Sequence, residues 1–158
     1  MSLTLLVLAD PAASWLKLLG TLGPDVTVLV GNDPAKVREY APQADVIVNG
    51  TSHPPLVSAA IPPATRARWI HSLWTGVDNV LCPEILASPL PLTNGRGVFR
   101  RPLAEWTIRA MLYFAYKMRR MVRQQQAGVW EACPTVEFQG KTLALIGYGG
   151  VRPTDAGL

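Results

Sequence analysis

LTLLVLADPAASWLKLLGTLGPDVTVLVG, residues 3–31, decides the fold class of this chain. Leu3 to Ala9 is a continuous apolar run that stops at Asp10 and Pro11, and proline cannot extend a ladder, so the run reads as a buried strand. In SWLKLLGTL, the residues Trp15, Leu18, Leu19 and Leu22 recur at helical spacing, with Ser14 placed to cap the first turn and Gly23-Pro24 to end it. Val26 to Gly31 then reads as a second strand. Working outward, Asp33 is placed to cap a short helix over PAKVREYA, and Ala44 to Val48 gives a third strand in ADVIV. Pro54, Pro55, Pro62 and Pro63 bracket LVSAAI, Leu56 to Ile61. A fourth strand is expected at Trp69 to Leu73, followed at once by the turn TGVDN. A short helix through CPEIL and a strand over Pro91 to Asn94 complete the unit. Strands alternating with helices call for a parallel sheet, because parallel neighbours need a crossover and the crossover covers the sheet face. The expected fold class is α/β.

From Pro102 to about Gln126 the pattern changes to one long helix. Leu103, Trp106, Ala110, Met111, Phe114, Met118, Met121 and Val122 form its apolar stripe, and Pro102 suits its first turn. Glu105 falls near the helix start and the basic group Lys117, Arg119, Arg120 and Arg123 near its end, both as the helix dipole favours. The chain then passes through GVWEACPTVEFQG into Lys141 to Ile146, which reads as a buried strand running into glycines.

Composition narrows the function classes. With 158 residues, 49% of them hydrophobic, the chain has the length of one domain or of one domain and part of another. The apolar runs are far shorter than the roughly 18 residues a membrane helix needs, and no basic flank or cleavage site marks a secretory signal. A cytoplasmic location and no membrane partner are therefore expected. A formal charge of +4 is mild and falls largely on the end of the long helix; without interleaved exposed aromatics, nucleic acid is not an expected partner. Cys82 and Cys133 stand far apart with no neighbouring histidines, which indicates structural thiols rather than a zinc site or a disulfide framework. His53 and His71 have no carboxylate at relay spacing, no G-x-S-x-G elbow or H-E-x-x-H pair occurs, and Asp10 lacks the partner acid of a phosphate-accepting pocket.

Two local signals remain. Strand, then Gly147-Tyr148-Gly149-Gly150-Val151-Arg152, reads either as an ordinary strand-to-helix turn or as the start of a dinucleotide turn, in which the first glycine tightens the turn and the second lets a pyrophosphate approach the backbone. Gly147, Gly149 and Gly150 are the candidate cofactor residues, although Arg152 takes the place of the third glycine. The second signal is TGVDN, where backbone donors at the carboxyl end of a parallel strand can form an anion-binding concavity. The alternative is a plain turn in which Asp78 and Asn79 bond to local backbone.

Several stretches, taken in order, resemble the D-isomer-specific 2-hydroxyacid dehydrogenases. They are ADVIVNGT (44–51), WIHSLWTGVDNV (69–80), LTNGRGVFRRPLAEWTIRAMLYFAYKMRR (92–120), GVW (128–130) and GKTLALIGYGGV (140–151). The resemblance implies a flavodoxin-like substrate domain over residues 1–101. It implies a linker helix and the beginning of a Rossmann NAD(P)-binding domain over residues 102–158. It also implies a small 2-hydroxy or 2-oxo acid as substrate, NAD or NADP as cofactor, and a homodimer for full-length members. Thr75 and Gly76 are implied as the rest for the substrate carboxylate, with Asn49 and Gly50 as a second substrate-facing loop. The family's catalytic arginine, acid and histidine match no motif here, so no catalytic residue is assigned. Beyond Val151 the resemblance stops, and RPTDAGL is expected to be a foreign tail on an inactive fragment that exposes its long apolar stripe. The alternative function is a non-catalytic module that presents the amphipathic helix to a partner.

Overall fold

The computed structural model describes residues 2–147 and Gly149. These fall into two compact units, one ending at Arg96 and the other starting at Gly97.

The first unit alternates strand and helix. Its elements are β1 (Leu3–Leu8), a 3-10 helix (Ser14–Thr21), β2 (Val26–Gly31), α1 (Pro34–Tyr40), a 3-10 turn (Ala41–Gln43), β3 (Val46–Asn49), α2 (Pro54–Ala60), β4 (Trp69–Ser72), α3 (Pro83–Ala87) and β5 (Leu92–Asn94). The strands form one five-stranded sheet in the order β2-β1-β3-β4-β5. Every pairing is parallel. This is the flavodoxin-like order, whose ligand crevices open at the carboxyl ends of the strands.

Period-two alternation divides the core between the two faces. Leu6, Leu8, Ile47 and Ile70 point one way and pack with Val37 of α1, Leu56 and Val57 of α2 and Ile85 of α3. Leu5, Val7 and Val46 point the other way and pack with Trp15, Leu16 and Leu19. Burying one such aliphatic side chain is worth about 1.5–3 kcal/mol, so the sheet is held chiefly by these two layers.

Capping follows the sequence in one helix and departs from it in another. Asp33 accepts from the N–H groups of Ala35 (2.9 Å) and Lys36 (3.2 Å), as expected. Ser14 does not cap: the helix over SWLKLLGT is 3-10, Ala13 precedes it, and no side chain caps it. Asp10 instead accepts from the Ala12 N–H at 2.9 Å and turns the chain out of β1.

At the opposite edge of the sheet, Asp45 is a buried carboxylate. It accepts from the Thr4 N–H at 2.9 Å and meets Arg66 at 3.2 Å and Arg68 at 3.9 Å. The Thr4 N–H bond, and after it Arg66 and Arg68, hold its carboxyl below the ordinary carboxylate range against the opposing effect of burial.

The second unit corrects the expected single helix. It contains α4 (Arg100–Ala115) and α5 (Met118–Gln126), broken where Lys117 takes a left-handed conformation at φ 51°. The Lys117 N–H bonds back to the Phe114 carbonyl, a tightened last turn of the kind that ends helices. Neither glycine nor proline occurs between Leu103 and Ala127, so nothing in the sequence marks the break. Glu105 is not in the first turn; it pairs with Arg101 at 3.0 Å, four residues earlier. Lys141 to Ile146 has no sheet pairing among the described residues, and Leu143, Leu145 and Ile146 are exposed. An apolar run becomes a strand only when a neighbouring strand takes up its backbone groups.

Because the folded Asp45 carboxyl titrates below the unfolded one, its contribution to stability is complete above about pH 4, the unfolded value. It is lost as the pH falls through the lowered folded value. Thermal unfolding followed from neutral to acid pH should show the wild type losing melting temperature over this window. Asp45→Asn should start less stable at neutral pH and lose less on acidification; parallel curves for the two proteins would contradict this.

Candidate functional site

The carboxyl ends of three adjacent strands carry polar side chains in register. Asn49 ends β3, Ser72 ends β4 and Asn94 ends β5, with Asn49 opposite Ser72 and Ser72 opposite Asn94. Asn49 and Ser72 are fully buried. A polar side chain buried at a strand end needs partners, and here the partners are the loops that follow.

Asn49 and Ser72 make long contacts. The Asn49 amide donates to the Ser72 hydroxyl at 3.5 Å, Asn49 Oδ1 accepts from the Thr51 N–H at 3.4 Å, and Ser72 Oγ accepts from the Trp74 N–H at 3.4 Å. Asn94 acts at shorter range, donating from Nδ2 to the Thr75 carbonyl at 2.6 Å. The Thr75 hydroxyl donates to the Gly95 carbonyl at 3.1 Å, and the Gly95 N–H donates to the Trp74 carbonyl at 3.0 Å. Trp74 reaches across to the loop after β3, where its indole N–H donates to the Thr51 carbonyl at 3.1 Å.

These bonds use the Thr75 side chain and carbonyl and leave its N–H free. Among the described residues, neither the Thr75 N–H nor the Gly76 N–H has an acceptor. Both residues are exposed. Two consecutive exposed N–H groups in a loop at the carboxyl end of a parallel sheet are the kind of donor pair that anion-binding loops use. A Cβ added at Gly76 would meet only Asp78 Oδ2, at 3.6 Å, so the backbone there is open to approach. That carboxylate also means the charge beside the two N–H groups is not uniformly favourable to an anion.

The structure thus brings together Asn49, Gly50, Thr75 and Gly76, in different positions. Thr75 and Gly76 form the open loop. Asn49 lies beneath it as a buried support. Gly50 is tightly packed: a Cβ there would fall 2.7 Å from Trp15 Cζ2, so glycine is required for the indole to fit. Ser72, Trp74, Asn94 and Gly95 were not singled out from the sequence. The signal for Ser72 and Asn94 was that WIHS and LTN, like VIVN, each end on a polar residue.

The other candidates do not join this site. Gly147 has φ +90° and both it and Gly149 are exposed; Gly150 lies outside the described residues. A dinucleotide needs its glycine turn between a paired strand and a helix N-terminus. Neither flanks this run among the described residues. His71 Nδ1 lies 2.8 Å from the Thr93 hydroxyl, which also accepts from the Trp69 indole at 2.8 Å. Among the described residues, neither histidine pairs with a carboxylate and no cluster of three or more His, Cys, Asp or Glu offers a metal site. Cys82 and Cys133 are free thiols, and burial pushes the Cys82 thiol upward, away from reactivity. Among the described residues, no helix is long and apolar enough to cross a membrane.

No protein-family model matches the chain, and no curated protein matches it. Solved structures do. The chain is similar to a D-isomer-specific 2-hydroxyacid dehydrogenase family protein from Aeromonas salmonicida, with a TM-score of 0.76 at 22% identity over 99% of this chain and 49% of that one. It is similar to a glyoxylate reductase from Paecilomyes thermophila, with a TM-score of 0.70 at 18% identity over 98% of this chain and 51% of that one. It is also similar to an NAD+-bound 3-phosphoglycerate dehydrogenase of Entamoeba histolytica, with a TM-score of 0.62 at 18% identity over 99% of this chain and 50% of that one. The chain therefore has the fold that the sequence motifs implied, and it spans about half the length of the solved structures it matches.

Two glycines in this region should respond unequally to alanine. At Gly95 a Cβ would sit 2.6 Å from the Leu73 carbonyl oxygen, a backbone atom that cannot step aside. Gly95→Ala should cost about 1–3 kcal/mol and Gly76→Ala less than about 0.5 kcal/mol, measured by urea unfolding. Equal effects would contradict the described packing of the loop.

Proposed function

We propose that this chain supplies the carboxylate-anchoring part of an NAD(P)-dependent oxidoreductase that interconverts small 2-hydroxy and 2-oxo acids. The observation that carries the reading is the free pair of N–H groups at Thr75 and Gly76, on a loop braced by Asn94 and Gly95. The same fold in solved dehydrogenases and the motifs at 44–51 and 69–80 support it. In this reading the substrate carboxylate rests on the two N–H groups, Asn49 and Gly50 shape the neighbouring loop, and the full-length enzyme acts as a homodimer. The nicotinamide would supply hydride, but the described residues build no place for it, and no step through it is derived. Proton transfer by a positioned acid or base contributes about 10²–10⁴ in rate. With no histidine–carboxylate pair among the described residues, no catalytic role falls to any of them.

A second reading, a non-catalytic module that engages a partner through its helices, is favoured by the exposure of Trp106 (58%) and Phe114 (77%) on α4.

Titration of the isotopically labelled chain with glyoxylate discriminates between these readings. Saturable shifts of the Thr75 and Gly76 amide resonances are expected, and none with glycolaldehyde, which lacks the carboxylate. Equal shifts with both compounds, or none at these residues, would remove the support for an anion cradle. In a separate assay, the 158-residue chain with glyoxylate and NADH should leave the nicotinamide absorbance unchanged; turnover would contradict the absence of an acid–base pair.

A further inference from the structure

PPLVSAAIPP, residues 54–63, forms one wall of a cleft that plays no part in the carboxylate loop. The cleft has a volume of about 820 Å³ and lies among α1, α2 and the start of α3. Its walls include both proline pairs and Ala59, and its polar groups are Arg38, Ser58, Cys82 and Glu84. Proline has no N–H to offer and a fixed φ, so these walls are apolar and stiff before any ligand arrives.

The charges within the cleft are unmatched. Glu84 Oε2 is buried and has no hydrogen-bond partner, the one side-chain atom so placed among the described residues. A buried carboxylate oxygen without a donor is costly unless something outside the chain supplies one. The rest of the carboxyl is supplied with donors by the Ser58 hydroxyl first and then by the Glu84 backbone N–H and the Cys82 thiol, which hold it below its ordinary range, so the group is ionised at neutral pH. Across the cleft Arg38 is exposed and forms no ion pair with any described residue, Glu84 included. A guanidinium presents a fork of donors and no acceptor, which suits a carboxylate. A metal ion is a poor occupant, because only Cys82 and Glu84 could ligate it and the thiol is held protonated by burial.

We propose that this cleft binds a small zwitterion of the α-amino-acid class. Its ammonium donates to Glu84 Oε2, its carboxylate meets Arg38, and its hydrocarbon side chain lies on the proline walls. The volume leaves room for a branched aliphatic side chain together with the water displaced from the open mouth.

L-leucine serves as the probe, with N-acetyl-L-leucine lacking the ammonium and L-leucinamide lacking the carboxylate. Titrated into the labelled full chain, L-leucine should give saturable shifts at the amides of Arg38, Ser58 and Glu84 and leave Thr75 and Gly76 unmoved. Each analogue should bind about tenfold more weakly or worse, as expected for losing one charge-assisted contact. Glu84→Gln and Arg38→Gln should each weaken L-leucine by a similar factor. Because Arg38 is exposed, Arg38→Gln still decides the matter if Glu84→Gln fails to fold. Absence of saturable shifts with L-leucine at millimolar concentration, equal binding of all three compounds, or wild-type affinity in Arg38→Gln would overturn the proposal and leave water as the partner of Glu84.

Discussion

Parallel pairing of β1, β3, β4 and β5 in one register is the constraint on which the rest of the first unit depends. It sets Asn49, Ser72 and Asn94 side by side at the carboxyl edge, where each strand has run out of ladder partners and the following loop begins. A shift of one residue in β4 would send Ser72 to the other face and bring an apolar or bulky neighbour to the edge. The core resists that shift, because the same register places Ile47 and Ile70 in the helix-covered layer. The hydrophobic layers therefore hold the polar row in place, and the polar row in turn shapes the loops.

This coupling explains how a short turn stays ordered while keeping two N–H groups unused. Asn94 and the Thr75 hydroxyl satisfy the groups that would otherwise pull the loop into a local turn. Gly95 brings its backbone within bonding distance of Trp74, closer than any residue with a Cβ would permit. The cleft walled by the two proline pairs follows a different principle. There, Arg38 and Glu84 line one cleft with the two proline pairs and form no ion pair with each other.

Much of the fold was legible because the signals were local. Val26–Gly31 is apolar except at Thr27 and ends on glycine, and Asp33 ahead of proline is a strong helix start. The places that were not legible depended on contacts or on backbone strain. SWLKLLGT carries a helical stripe, yet it winds as 3-10 without a cap, and Ser14 has no role in it. The break at Lys117 left no trace in residue type, since a left-handed lysine is unusual and nothing nearby favours it. Lys141 to Ile146 has the composition of a strand, but composition alone supplies no ladder partner. For the proposed site, the sequence points to Thr75 and Gly76 through the turn and the motif around it. Ser72, Asn94 and Gly95 act through register or hydrogen-bond partners 19 or more residues away, and their pairing is invisible until the sheet is assembled.

The proposed function rests on the exposed Thr75 and Gly76 N–H groups of the loop after β4 as donors to a carboxylate. A crystal structure of the chain grown with glyoxylate tests it most directly. The account requires a carboxylate oxygen within hydrogen-bond distance of the Thr75 and Gly76 nitrogens, with the Asn94 to Thr75 bond intact. A ligand bound elsewhere on the sheet edge, or these nitrogens bonded to acceptors within the protein, would contradict it.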